Sequence, residues 1–190
     1  MLRDRRCFLA LLAGALATPA FAQSPGMSRA TAYAFSFPAL HGGAIRLIDL
    51  AGKPILIVNT ASQCGFTPQY AGLQELWTRF RARGLTIVGV PSNDFGGQEP
   101  GEAGDIARTA HEHFGITFPL AAKVEVRGAA PHPFYRWAAI ERPFEAPSWN
   151  FHKYLIGRDG RIAASFPTNV EPTDARVIAA IEKELGKGGE

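Results

Sequence analysis

The stretch PILIVNTASQCGFTP, residues 54–68, changes character at its middle. Residues 54–60 are a continuous aliphatic and β-branched run, too short for an ordinary helix, and read as a strand buried on both faces. Ser62, Gln63 and Gly65 then surround a single cysteine, Cys64, with polar or small neighbours. Thr67 and Pro68 predict the start of a helix, with a side-chain cap and a proline at the first helical position. A buried strand that feeds a polar turn and then a helix is the building unit of α/β architecture. Reacting groups gather in such folds at the carboxyl ends of strands.

Outward from this unit, Leu73, Leu76, Trp77 and Phe80 recur on one helical face, and Gly84 ends the helix. Residues 85–90 form a second aliphatic strand, joined to the first by a right-handed parallel crossover. Upstream, 33–37 and 44–47 read as a hairpin turned at His41, Gly42 and Gly43. Downstream come a glycine-rich loop (94–101), a helix over 103–114, a short strand after 118–120 and a helix over 133–139. Strands over 150–155 and 161–166 turn at Arg158, Asp159 and Gly160. Thr173 and Asp174 cap a last helix that stops at Gly186. Alternating strands and helices with a late hairpin predict an α/β sandwich on a mixed sheet.

The chain has 190 residues, 46% of them hydrophobic and 19% charged, which suits one globular domain over 32–190. Its formal charge of +3 comes mostly from Arg3, Arg5 and Arg6 against Asp4, too little elsewhere to argue for nucleic acid. Those arginines precede the apolar run FLALLAGALA (8–17) and the small-x-small site at Ala20, Phe21 and Ala22. Residues 1–22 therefore read as an export signal, with Arg5 and Arg6 of twin-arginine type, followed by a loose polar leader over 23–31. Export, to the periplasm, removes Cys7 and leaves no segment long enough to span a bilayer. Cys64 is then the mature chain's only thiol, and no internal disulfide can form.

A lone thiol in a polar turn before a helix N-terminus sits where N–H groups and the helix dipole favour the thiolate. The third residue after Cys64 is Thr67, so the second thiol that a dithiol exchanger uses is missing. A thiolate without a partner suits attack on a peroxide oxygen, which yields a sulfenic acid. Alone, Cys64 also fits a small core residue.

Beyond Cys64, three separated segments resemble the signatures of the glutathione peroxidase family in its cysteine form. They are VNTASQCGFT (58–67), FGGQEPG (95–101) and WNF (149–151), with agreement also at GITFP (115–119), His132, Pro133 and GRDG (157–160). The resemblance covers about 33–185 and implies a thioredoxin-like fold with an N-terminal hairpin. It implies a catalytic tetrad of Cys64, Gln98, Trp149 and Asn150. The amides of Gln98 and Asn150 and the indole of Trp149 can donate to sulfur or to a developing oxyanion. It implies a small-molecule peroxide substrate, an external thiol co-substrate such as glutathione or a thioredoxin-like reductant, and no bound cofactor or metal. The short connection 139–149 resembles the monomeric branch.

Three features depart from the family or stand beside it. Ala110 and Ser92 occupy positions where relatives that recycle through thioredoxin carry cysteines, so an external thiol must restore Cys64. Asp94 stands where the family usually has Gln; it is expected to be peripheral, and a carboxylate close to Cys64 would oppose the thiolate. Lys123, His152 and Lys153 are expected to form either a basic rim for an anionic ligand or plain solvated charge. A peroxide-sensing redox protein that forms mixed disulfides with a partner stays open as the alternative to turnover.

Overall fold

The computed structural model describes residues 30–186. The export signal over 1–22 and most of the leader over 23–31 lie outside the described residues.

Ile55–Thr60 forms the expected strand (β3), and every residue in it is buried. It pairs in parallel with Thr86–Pro91 (β4), from Ile55 opposite Thr86 to Thr60 opposite Pro91. On its other edge it pairs antiparallel with Lys153–Ile156 (β5), which turns back into Ile162–Phe166 (β6). The sheet order is β4-β3-β5-β6, a mixed sheet with the cysteine strand inside it. Ser36–Pro38 (β1) and Ala44–Arg46 (β2) form a separate antiparallel hairpin. Its start is shorter than expected because Ala32–Ala34 coils into one 3-10 turn.

Alternation along β3 divides the core. Leu56 and Val58 face the side covered by Gln69–Phe80 (α1) and Ala175–Gly186 (α4), through Tyr70, Leu73, Leu76, Phe80, Val177 and Ile181. Ile55 and Ile57 face Pro133–Glu141 (α3) and the hairpin, through Phe134, Trp137 and Phe37. Burial on both faces is why β3 and β4 read as unbroken aliphatic runs.

The helix after the glycine-rich loop changes type. Ala103–Ala107 (α2) is α-helical, and Arg108–His113 continues it as a π-helix with Ala110 fully buried. The short strand after 118–120 is reduced to single bridges, Gly89 with Leu120 and Ala39 with Ala121. No helix among the described residues is long and apolar enough to cross a membrane.

Candidate active site

Cys64 lies four residues past β3, in a turn closed by Thr67. The Thr67 hydroxyl accepts from Cys64 N at 3.1 Å and lies within hydrogen-bond distance of both the Ala61 and the Cys64 carbonyls. That hydroxyl is therefore committed to the turn, and it does not cap the helix. α1 starts at Gln69, one residue later than the sequence predicts, after bonds of 3-10 type from Gln69 N to Phe66 O and Tyr70 N to Thr67 O. Cys64 itself is 7% exposed, and its Sγ accepts from Phe66 N at 3.4 Å.

Gln98 reaches this turn from the glycine-rich loop. Gln63 N donates to Gln98 O at 2.9 Å, which ties the residue before Cys64 to that loop. Gln98 Oε1 accepts from Asn150 Nδ2 at 2.9 Å. The Gln98 amide N–H groups meet no acceptor among the described residues. Asn150 is fully buried and spends its other N–H on Phe95 O at 3.4 Å, so it faces Gln98 rather than open space. Trp149 is 37% exposed, with no intramolecular acceptor for its indole N–H among the described residues. Its ring passes 3.3 Å from where a Cβ on Gly96 would stand, and Gly96 has φ +70°. The structure thus bonds Gln98 to Asn150 and ties Gln98 by its backbone to the residue before Cys64, while Trp149 packs against Gly96 of the same loop.

Asn59 and Lys153 build this arrangement; Asn59 does not stand out as functional in the sequence, and Lys153 stands out there only as a member of a basic rim. Asn59 Nδ2 donates to Trp149 O at 3.0 Å, its carbonyl accepts from Phe151 N, and its own N–H donates to His152 O. Every one of these bonds fastens the 149–152 arch to the strand that carries Cys64. Phe151 takes φ +62°, a left-handed conformation that costs a bulky residue roughly 1–3 kcal/mol. Its buried ring, edge-on to Tyr70 at 5.3 Å, and the bond to Asn59 hold it there. That bend explains why β5 begins at Lys153, although the sequence predicts a strand from 150. The available signal was an asparagine inside an otherwise aliphatic strand.

The expectation of a basic rim fails for two of its three members. Lys153 is fully buried, and its Nζ donates to Phe151 O and Val170 O, each at 2.7 Å. Burial pulls its ammonium down to about 8, against a partial pull upward from Glu171. His152 is buried too, held near Ser165 Oγ at 3.0 Å; burial, reinforced by Lys153, pushes its imidazole down to about 4. Lys123 donates to Glu99 O and Gly101 O and so pins the glycine-rich loop.

Asp94 is peripheral, as expected, with a definite task. Its Oδ2 accepts from both Val126 N and Arg127 N and fixes the turn they form. Glu99 is buried to 1% exposure beside Ser62, and burial raises its carboxyl above the usual range, with Ser62 and Lys123 pulling the other way. It lines an open cavity of about 400 Å³ with Ser62, Gln63, Arg108, Thr109 and His113. Ser92, like Ala110, is fully buried, and Cys64 is the only cysteine among the described residues. No group of three His, Cys, Asp or Glu side chains gathers among them to hold a metal.

The fold and its motifs have counterparts among known proteins. The family profile described as glutathione peroxidase matches residues 32–139. A hydroperoxy fatty acid reductase, gpx1, of Synechocystis sp. is 44% identical over 164 residues, covering 82% of this chain and 96% of that protein. The crystal structure of T. cruzi GPX1 superposes with a TM-score of 0.66 at 30% identity, covering 83% of this chain and 97% of that one. A thioredoxin family protein from Chlorobium tepidum shares the fold alone, with a TM-score of 0.56 at 16% identity over 80% of this chain and 93% of that one. The expected thioredoxin-like fold, a central mixed sheet flanked by helices, is therefore present. The chain belongs to the glutathione peroxidase family.

Proposed function

We propose that the protein is a thiol-dependent peroxidase in which Cys64 is the reacting group. The Cys64 thiolate attacks the hydroxyl oxygen of a hydroperoxide; an S–O bond forms, the O–O bond breaks, and the alkoxide leaves to take a proton from solvent. Cys64 becomes a sulfenic acid. A first external thiol displaces its oxygen as water and leaves a mixed disulfide, and a second thiol releases Cys64 and leaves as the oxidised disulfide.

The observation that carries this reading is the chain of bonds Gln63 N to Gln98 O and Asn150 Nδ2 to Gln98 Oε1. It commits the acceptor end of Gln98 and leaves the donor end for the sulfur or the leaving oxygen. The indole N–H of Trp149 is the second uncommitted donor, and Asn150 is the positioning residue. Neutral donors of this kind stabilise developing charge without adding a titratable group.

Reduction from outside follows from Ala110 and Ser92, which supply no second thiol. The mature chain, freed of residues 1–22, acts as a monomer in the periplasm. Its peroxides include organic hydroperoxides, as the name of the Synechocystis relative says of that protein. The test is steady-state peroxide consumption with glutathione, with thioredoxin and with no reductant. Turnover with an external thiol supports the reading; one stoichiometric oxidation under every reductant overturns it and leaves a sensing role.

A further inference from the structure

Four buried side-chain oxygens around the cysteine turn have no hydrogen-bond partner among the described residues: Thr60 Oγ1, Ser62 Oγ, the Tyr70 hydroxyl and Glu99 Oε2. Thr60, Tyr70 and Glu99 are each exposed by 1% or less. They come from four segments. Thr60 ends β3, Ser62 lies two residues before Cys64, Tyr70 is in the first turn of α1, and Glu99 follows Gln98.

The electrostatics place them together. Burial pushes the Tyr70 phenol above its ordinary range; Thr60 pulls it back, and Glu99 pushes it further. Burial likewise raises the Glu99 carboxyl, against pulls from the Ser62 hydroxyl, the Ser62 N–H and Lys123. Glu99 also shares its open cavity with Asp105, Arg108 and His113. Thr60 thus adjoins Tyr70, Ser62 adjoins Glu99, and Glu99 acts on Tyr70, yet no direct bond closes between any two of the four oxygens. Native proteins pair nearly all buried polar atoms, and an internal water does so with about three bonds where side chains fall short of one another.

We propose that Thr60, Ser62, Tyr70 and Glu99 hold one internal water, which fixes the cysteine turn to α1 and to the loop that carries Gln98. Three hydroxyls that donate or accept and one carboxyl oxygen suit water, which donates two bonds and accepts two. Ser62 and Tyr70 bracket Cys64 in the chain, and Ala61, Cys64 and Tyr70 pack in one buried cluster. Gln63 N already donates to Gln98 O at 2.9 Å, so the water adds a second tie between the same segments, one residue along each. The Tyr70 ring also braces the arch, edge-on to Phe151 at 5.3 Å. The four side chains are positioning residues, and Tyr70 and Glu99 act on Cys64 through the turn. The kinetic consequence rests on the peroxidase reading; the water site does not.

Three measurements on the mature chain test it, with Tyr70→Phe and Thr60→Val as variants that keep shape and remove a hydroxyl. A crystal structure resolving ordered solvent is expected to show one water within about 3.2 Å of at least three of the four oxygens. Carbon NMR of the Glu99 carboxyl reads the tie directly. A water that donates to the carboxylate favours its charged form, so the titration midpoint should rise by at least about half a pH unit in Tyr70→Phe. The rate of Cys64 oxidation by hydrogen peroxide should fall about 3- to 30-fold in each variant, and no further in the double variant, since both act through one water. Direct bonds pairing the four oxygens without solvent overturn the site. An unmoved Glu99 midpoint together with unchanged oxidation rates in both variants overturns the positioning role. If the unsubstituted protein fails to consume hydrogen peroxide, the peroxidase reading falls instead, and the crystal structure and the Glu99 titration still decide the water.

Discussion

Asn150 Nδ2 donates to Gln98 Oε1 at 2.9 Å, and both residues lie far apart in the chain, on an arch and on a glycine-rich loop. The bond fixes which end of the Gln98 amide is left for chemistry. Asn150→Ala should lower kcat/KM for hydrogen peroxide by about 10- to 100-fold, within the range for loss of a preorganised donor. Gln98→Ala should cost about as much, and the double variant little more than either alone, since the two act as one unit. Steady-state kinetics on the four proteins checks this.

The fastening of the arch to β3 depends on Asn59. Asn59→Leu removes the bond to Trp149 O and leaves that carbonyl without its partner. Stability should fall by about 1–3 kcal/mol in urea unfolding. The rate of Cys64 oxidation should fall with it, although the Asn59 side chain bonds to the Trp149 carbonyl and not to the thiol.

Gly96 gives way to the Trp149 ring. In Gly96→Ala, φ +70° costs about 1–2 kcal/mol and the new Cβ presses on the ring at 3.3 Å. The displaced indole should lower kcat for peroxide, and the tryptophan fluorescence of the folded protein should shift. Gly97→Ala, with a similar φ of +66° and open space around its Cβ, should cost similar stability and leave the fluorescence in place.

His152 makes stability depend on pH. Its folded imidazole titrates at about 4, below the ordinary 6.5, so between these values the unfolded chain takes up a proton that the folded chain refuses. Stability from this group is complete above pH 6.5 and is lost as pH falls toward 4, by about 3 kcal/mol at full extent. Urea unfolding at pH 7 and pH 4.5 should show that loss, and His152→Leu should reduce the difference.

The central strands were legible because burial on both faces forces unbroken aliphatic runs, and the turns because His41, Gly42, Gly43 and Asp159, Gly160 carry their own local chemistry. The start of α1 was not, since the Thr67 hydroxyl serves the backbone of Ala61 and Cys64 instead of the helix. The region from Trp149 to Lys153 was misread for a similar reason. Phe151 bends left-handed, and His152 and Lys153 are buried, because of bonds to Asn59, Ser165 and Val170 that are distant in sequence. Two adjacent basic side chains, His152 and Lys153, look like a solvated edge to any local reading. The residues Cys64, Gln98, Trp149 and Asn150 were found through motif resemblance; their division into free donors and a positioning residue needed the geometry.

The account turns on Cys64 as the site of oxidation, and one measurement addresses that directly. The mature protein is treated with one equivalent of hydrogen peroxide, and intact mass is read before and after one portion meets a sulfenic-acid trap and another an external thiol. The account predicts gain of a single oxygen at Cys64, capture by the trap, return to the starting mass with thiol, and none of these in Cys64→Ser. Peroxide consumption by Cys64→Ser at the rate of the unsubstituted protein would contradict it.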